Sequence, residues 1–332
     1  MSSRNSPSRS NLVGPLAAVL LAAGASAATI AYKTRLAEAS HPPRGRFVTV
    51  SGVRLHYIEA GAGPPVVMLH GNGAMTEDMR ISGAFADFSE THRTVAYDRP
   101  GFGYSGRPRS TSWTPEAQAR LIVEANTLLG IDRPIIFAHS WGTLVALALA
   151  LDHPERVGGL VLVSGFYYPG PGIGTVGFNP AATPVLGDVL NHTVSPWIGA
   201  AMSNMMIKGM FAPEGVPPRF SREFPIALTL RPSQIKAFAE ESAGMNAAAA
   251  SLCERYYELR CPTIIVAGEA DKIVDTGQAQ RLHATIPSST LRIWPGASHM
   301  LHHRFSGELA RAIEHMGEAP GTFIERLCFV LM

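Results

Sequence analysis

Three side chains are of the types that hydrolysis through a nucleophile requires, and each comes shortly after an apolar run typical of a buried strand. A serine hydroxyl attacks a carbonyl only when a base takes its proton and a third group orients that base. The residue types and their order predict a nucleophile, Ser140, an orienting acid, Asp271, and a base, His299. Glu269 and Asp275 are alternatives for the acid.

The residues around Ser140 predict a sharp turn between a strand and a helix. The run AHSWG over 138–142 lies between apolar residues and the Ala- and Leu-rich stretch 143–151. Such a turn lifts the hydroxyl above the sheet, and it needs small residues two positions before and after the serine. Gly142 meets this demand, whereas Ala138 stands where the usual pattern has glycine.

A second turn offers donors for the oxyanion that forms when a carbonyl is attacked. The apolar run 66–69 ends in the Gly-rich stretch His70–Gly73, whose backbone N–H groups could face the serine. We expect the backbone N–H groups of Asn72 and Trp141 to form the oxyanion hole. Asp98 and Arg99, after another apolar run, are interpreted as structural turn residues.

The elements that must hold these turns alternate between strand and helix patterns. A helix is predicted over Thr114–Leu129, with Thr114 as N-cap, Pro115 in the first turn and Gly130 past the end. Alternation of this kind predicts an α/β fold with a mostly parallel sheet and helices on both faces. The predicted buried strands are 65–69, 94–97, 134–137, 160–163, 263–266 and 291–294.

A hairpin over 46–50 and 53–58, turning at Ser51-Gly52, is expected at one edge of the sheet. In a doubly wound sheet the loops after successive parallel strands open on one edge. Ser140, Asp271 and His299 should therefore converge.

The alternation stops at Gly165 and resumes near Cys261. The hydrolase core is thus predicted over 41–165 and 259–316, with a cap inserted at 166–258. The cap is rich in Met and aromatic residues, which favours a small apolar or aromatic substrate. The predicted pocket residues are Gly71, Phe166, Tyr167 and Met300.

Residues 1–40 are interpreted as a targeting segment outside the fold. The stretch Leu12–Tyr32 has no charged residue in 21 positions, and as a helix it would extend about 31 Å, enough for a hydrocarbon core of about 30 Å. Ala25-Ser26-Ala27 also matches a small-x-small cleavage site. A retained anchor and a cleaved signal both stay open, and either predicts a location in the cell envelope. The tail 317–332 has no assigned role.

Composition excludes several classes of protein. The 332 residues carry a net charge of +2, which offers no footprint for nucleic acid. Three cysteines, Cys253, Cys261 and Cys328, are too few for a disulfide scaffold. His302-His303 has no acid or cysteine at ligand spacing in the sequence, so neither a metal nor another cofactor is expected.

Four segments together resemble the α/β-hydrolase family across about residues 45–316. They are His70–Gly73, Asp98–Ser105, His139–Gly142 and the loops that carry Asp271 and His299. The resemblance implies an eight-stranded sheet, a cap after the sixth strand, and hydrolysis through an acyl-enzyme. Haloalkane dehalogenases and epoxide hydrolases are similar around Asn72 and Trp141 but use aspartate where this chain has Ser140, so alkyl displacement is not expected.

The sequence therefore predicts a serine hydrolase that cleaves a carboxylic ester or a related acyl bond. A cofactor-free perhydrolase and a carbon–carbon bond hydrolase with the same triad are alternatives within enzymes. An inactive, membrane-tethered binding module is the alternative from another class.

Overall fold

The computed structural model of the chain describes residues 10–170 and 179–316. Its centre is one eight-stranded sheet with the order β1-β2-β4-β3-β5-β6-β7-β8. The first two pairings, β1 with β2 and β2 with β4, are antiparallel, and the other five are parallel. The strands are β1 (Arg46–Val50), β2 (Val53–Ala60), β3 (Pro65–Leu69), β4 (Arg93–Tyr97), β5 (Ile135–His139), β6 (Gly159–Val163), β7 (Thr263–Gly268) and β8 (Ser289–Trp294).

The predicted mostly parallel α/β sheet with an edge hairpin is thus confirmed. Ser51 and Gly52 turn the hairpin with φ angles of 47° and 79°, which fits the two left-handed residues of a tight β-turn.

Twelve α-helices accompany the sheet within the described residues. They are α1 (Ser10–Ser40), α2 (Thr76–Ser82), α3 (Ala84–Ser89), α4 (Pro115–Leu128), α5 (Gly142–Asp152), α6 (Leu186–Thr193), α7 (Ser195–Phe211), α8 (Pro218–Glu223), α9 (Ile226–Thr229), α10 (Pro232–Cys253), α11 (Gly277–Thr285) and α12 (Ser306–Glu314). The predicted start of α4 is confirmed, because the Thr114 hydroxyl accepts a hydrogen bond from the N–H of Ala117.

Helices cover both faces of the sheet, and successive side chains along a strand point to opposite faces. In β3, Val67 and Leu69 pack in the cluster that includes α4 and α5, whereas Val66 and Met68 pack in the cluster that includes α3 and α12. Strands buried on both faces read as continuous apolar runs, which is why the sequence pattern revealed them.

Helices α6 to α10 lie between β6 and β7, within the region predicted as a cap. Phe211 and Phe220 of these helices form a small core with Ile81 and Met300 of the sheet domain. The Met and aromatic residues of this region are therefore divided between packing against the sheet domain and exposure on the outside.

The expectation that residues 1–40 stand outside the fold is wrong for the end of this segment. Ile30 and Ala37 of α1 are buried, at 3% and 5% exposure, and α1 contacts α6 and α9. The two residues are seven positions apart, which places them on one face of a helix. The helix ends at Ser40, just before His41-Pro42-Pro43.

Candidate active site

Ser140 occupies a strained turn between β5 and α5. Its φ angle is 52°, a left-handed conformation that costs an L-residue other than glycine on the order of 1–2 kcal/mol. The backbone around it leaves no room for relaxation: a Cβ on Gly142 would lie 2.6 Å from the His70 carbonyl oxygen and 2.7 Å from that of Leu69. The Ser140 N–H donates to the Val163 carbonyl at 2.9 Å. The predicted small residue at 142 is thus a steric requirement.

The structure brings Ser140, Asp271 and His299 together, as their order in the sequence predicted. His299 Nε2 lies 3.1 Å from Ser140 Oγ, and its Nδ1 lies 2.8 Å from Asp271 Oδ2. The His299 and Asp271 side chains are 4% and 3% exposed. The three groups form a continuous hydrogen-bonded chain from acid to hydroxyl.

The other oxygen of Asp271 is held by its own loop. Asp271 Oδ1 accepts hydrogen bonds from the N–H groups of Ile273 and Val274 at 2.7 and 3.0 Å. These bonds fix the carboxylate plane, so Oδ2 points at His299.

The alternative acids, Glu269 and Asp275, are engaged elsewhere. Glu269 accepts from the Gly296 N–H at 3.1 Å, and Asp275 accepts from the Gly277 N–H at 2.8 Å. Asp271 is therefore the acid that the structure places on His299 Nδ1.

The predicted oxyanion donors flank the serine. A Cβ on Gly71 would lie 3.0 Å from the Cβ of Ser140, so the loop that carries Asn72 passes directly beside the nucleophile. Trp141 precedes the first residue of α5, where backbone N–H groups have no carbonyl partner within the helix. The Asn72 side chain donates to the Phe238 carbonyl and to Ser242 Oγ at 3.2 and 3.0 Å, which ties the loop to α10.

A buried ion pair that sequence reasoning missed holds the same loop. Arg99 Nη1 and Nη2 donate to Glu241 Oε1 and Oε2 at 2.5 and 3.0 Å, and the side chains are 0% and 1% exposed. The guanidinium also donates to the carbonyls of His70 and Gly71 at 2.8 and 3.0 Å. Arg99 is thus a structural residue, as interpreted from the sequence, but its main partner lies on α10 of the cap.

His70 is kept neutral inside this arrangement. Burial, together with the nearby Arg99 guanidinium, lowers the pKa of His70 to about 3. Nε2 of the neutral His70 ring accepts a hydrogen bond from the backbone N–H of Arg99 at 2.9 Å. The loop before Asn72 therefore depends on an imidazole without charge.

A second network lies behind the serine. His139 Nε2 donates to the His299 carbonyl at 3.0 Å, and the His139 and His302 ring centres are 4.4 Å apart. Burial, and then His302 and His299, hold the pKa of His139 well below its usual range. His139 is thus a neutral positioning residue for the backbone of His299.

His302 and His303 do have an acidic neighbour, contrary to the sequence expectation. Asp78 accepts from His302 Nε2 at 3.0 Å and from His303 Nε2 at 2.8 Å. Burial would raise the pKa of Asp78, but the two histidines hold it well below its usual range. Asp78, His139 and His302 each offer a ligand atom within 4.8 Å of the others, so they could hold a metal ion. Both Asp78 oxygens already accept histidine N–H groups, which is the geometry of a hydrogen-bonded network.

Of the four predicted pocket residues, one lies beside the nucleophile and three are buried in hydrophobic clusters. Gly71 abuts Ser140. Phe166 and Tyr167 are buried in the main core and Met300 in the small core under the cap. Their contact with a substrate stays a prediction.

Comparisons with known proteins find relatives of the same fold. A model of the α/β-hydrolase fold matches residues 64–195, and a model described as serine aminopeptidase S33 matches residues 236–304. Haloalkane dehalogenase 2 of Mycobacterium tuberculosis is 33% identical over 129 residues, which cover 39% of this chain and 44% of the dehalogenase. This chain therefore spans less than half the length of that relative.

Longer matches exist with other enzymes. The 2-hydroxy-6-oxo-6-phenylhexa-2,4-dienoate hydrolase of Burkholderia cepacia is 26% identical over 273 residues, or 80% of this chain and 93% of that enzyme. The solved enol-lactonase of Burkholderia xenovorans LB400 has a TM-score of 0.67 and 19% identity, covering 81% of this chain and 98% of that structure. The matched model of the fold, the long similarity to the dienoate hydrolase and the order of the eight strands agree that the chain has the α/β-hydrolase fold.

Proposed function

We propose that this hydrolase uses Ser140 as a nucleophile against an ester-like carbonyl. The observation that carries the proposal is the hydrogen-bonded chain Ser140–His299–Asp271, with contacts of 3.1 and 2.8 Å. A serine in a strand-to-helix turn, a histidine within reach and an acid on the far nitrogen are the arrangement that nucleophilic acyl transfer needs.

The chemistry follows from these contacts. As Ser140 Oγ bonds to the carbonyl carbon, its proton passes to His299 Nε2, and Asp271 stabilises the imidazolium. The N–H groups of Asn72 and Trp141 donate to the oxyanion, each worth about 2.7–4 kcal/mol in the transition state. His299 then protonates the departing alcohol, which leaves an acyl-enzyme. Water then attacks the carbonyl carbon of the acyl-enzyme and gives a proton to His299. His299 passes this proton to Ser140 Oγ as the bond between Oγ and the acyl carbon breaks, which releases the acid and restores the serine hydroxyl.

The charges near the serine favour an uncharged substrate. The Arg99 guanidinium lies 4.7 Å from the centre of the Trp141 ring, but both of its outer nitrogens face the Glu241 carboxylate. A charge matched in this way offers little attraction to a substrate carboxylate. The pairing of Arg99 with Glu241 therefore favours a neutral ester over an acid-bearing dienoate.

Carbon–carbon bond hydrolysis is the second candidate. It is favoured by the similarity over most of the chain to a hydrolase named for a dienoate. The same serine would attack a ketone carbonyl, and the bond that breaks would be a carbon–carbon bond.

Fluorophosphonate labelling and ester turnover test the nucleophile. We expect Ser140→Ala to lose both labelling and p-nitrophenyl ester hydrolysis. Ser164→Ala is the matched control, since Ser164 is also buried, follows the neighbouring strand β6 and has a positive φ of 49°. Labelling that persists in Ser140→Ala, or disappears in Ser164→Ala alone, would refute the assignment.

Substrate profiling separates the two candidates. The wild-type chain would be compared on p-nitrophenyl esters of increasing acyl length and on 2-hydroxy-6-oxo-6-phenylhexa-2,4-dienoate. We expect a higher kcat/KM for the esters. A higher value for the dienoate would replace the ester proposal with the carbon–carbon alternative, while Ser140 would keep its role.

A further inference from the structure

The large apolar side chains that this protein exposes are concentrated in one region. Among the residues whose side chains are described, all but Leu128 and Tyr257 lie on α1 or between residues 185 and 206. Monomeric soluble proteins rarely expose apolar patches of more than a few hundred Å². The exposed members are Val19, Leu20, Leu21, Tyr32 and Leu36 of α1, and Val185, Leu186, Val189, Val194, Trp197, Ile198, Met202, Met205 and Met206 of the cap. We call these the apolar face.

The two parts of the apolar face are joined by direct contacts. Ser26 Oγ donates to the Thr193 carbonyl at 2.5 Å and accepts from Trp197 Nε1 at 2.8 Å. The Lys33 ammonium lies 4.3 Å from the centre of the Trp197 ring. Helix α1 therefore meets the cap where α6 ends and α7 begins.

A groove runs along this junction. It has a volume of about 340 Å³, and its lining is mostly apolar. Ile30 and Leu36 line it from α1, and Pro196, Trp197 and Leu230 from the cap. A groove of this size and polarity between two exposed apolar helices suits a hydrocarbon chain.

The cap part of the apolar face is also nearly free of charge. Asp188 is the sole acidic or basic residue other than histidine between positions 185 and 206. Its carboxylate is paired with Arg109 at 2.6 Å and with Lys236 at 2.9 Å. The cap thus presents a long surface without an uncompensated charge.

The neighbouring helix identifies the occupant. Within the described residues, Ala17–Ser40 is the helical stretch that is long and apolar enough to cross a membrane, and its most apolar window is only 6% buried. A bilayer that receives the exposed end of α1 would meet the cap at the Ser26 contact, where Val194, Trp197 and Ile198 are exposed. Tryptophan is enriched at membrane interfaces. A protein partner would leave the adjoining uncharged half of α1 without a cover.

We propose that the apolar face lies on a lipid bilayer, with the exposed end of α1 inserted and the α6–α7 surface of the cap resting in the interfacial layer. Helix α1 thereby fixes the orientation of the cap toward the lipid, through the contacts around Ser26 and Trp197. The proposal is independent of catalysis, since it rests on exposure, charge and packing.

Site-directed fluorescence on the full chain tests this orientation. An environment-sensitive probe would be attached at Ile198→Cys, Met205→Cys or, as the control, Tyr257→Cys, in a background whose three native cysteines are replaced by alanine. All three sites are well exposed, at 54%, 64% and 62%. The protein would be reconstituted in phosphatidylcholine and phosphatidylglycerol vesicles with and without nitroxide-labelled lipids.

Probes at 198 and 205 should shift to the blue on vesicles and lose intensity with nitroxide lipids, whereas the probe at 257 should do neither. Equal behaviour at the three sites would overturn the proposal. A blue shift at 198 and 205 that grows with protein concentration in the absence of lipid would also overturn it, because a second copy would then be the occupant. The Ser140→Ala background gives the same readout, so failure of the proposed hydrolysis would not affect this test.

Discussion

Replacing Glu241 by glutamine should reveal how strongly the cap is tied to the loop beside the serine. The change keeps the shape of the side chain but leaves the Arg99 guanidinium buried without its counterion, where both partners are at most 1% exposed. Removing one member of a buried ion pair typically costs about 3–5 kcal/mol. Coulomb's law gives an energy of similar size: two unit charges about 4 Å apart, at an effective dielectric constant of about 20, attract each other by about 4 kcal/mol.

Urea unfolding followed by tryptophan fluorescence would measure this loss. Glu258→Gln is the matched control, because Glu258 also pairs with an arginine, Arg255, at 3.2 Å, but both side chains are more than a third exposed. An exposed pair of this kind is worth about 0–1 kcal/mol. If Glu241→Gln lowers the free energy of unfolding no more than Glu258→Gln does, the role assigned to the buried pair is wrong.

Two further predictions concern the turn and the buried imidazole. Gly142→Ala should destabilise the fold by at least about 1–3 kcal/mol and abolish turnover, because the new Cβ would lie 2.6 Å from a backbone oxygen. Gly244→Ala is the control, since a Cβ there would have no other atom within 4 Å. This variant should keep full activity and have a Tm no lower than that of the wild type. The pKa of His70 is lowered to about 3 in the folded protein, whereas a histidine in the unfolded chain has a pKa of about 6.5. As the pH falls below about 6.5, the unfolded chain therefore binds a proton at this residue before the folded protein does. This difference lowers the free energy of unfolding by about 2 kcal/mol between about pH 7 and about pH 5. His70→Gln should show a correspondingly shallower loss of unfolding free energy over that range, and an unchanged slope would contradict the assignment of a neutral His70.

Local sequence patterns predicted the structural features that depend only on neighbouring residues. The β1–β2 hairpin, the cap of α4 and the close turn at Gly142 follow from residues within a few positions of one another. The meeting of Ser140, Asp271 and His299 followed from a topological rule, that parallel strands end on one edge. These predictions needed no knowledge of side-chain packing.

The contacts that sequence reasoning missed join residues far apart in the chain. Asp78 lies 224 positions from His302, and Arg99 lies 142 positions from Glu241. No periodicity connects such pairs, because each joins two elements that are distant in the chain and whose relative position depends on side-chain fit. The contact of α1 with the cap was missed because neither buried position stands out: Ile30 is one of many apolar residues in its run, and Ala37 is a small residue in a stretch with several charges.

The ion pair between Arg99 and Glu241 constrains how the cap of this protein could be exchanged in evolution or engineering. Caps of this fold look like modules that could be exchanged to change substrate range. In this protein a transplanted cap would need an acid at the position of Glu241, because otherwise the Arg99 guanidinium would stay buried without a counterion. Exchange of the cap is therefore constrained by a buried acid that pairs with the sheet domain, and libraries of chimeras should hold Glu241 constant while the remainder of α10 varies.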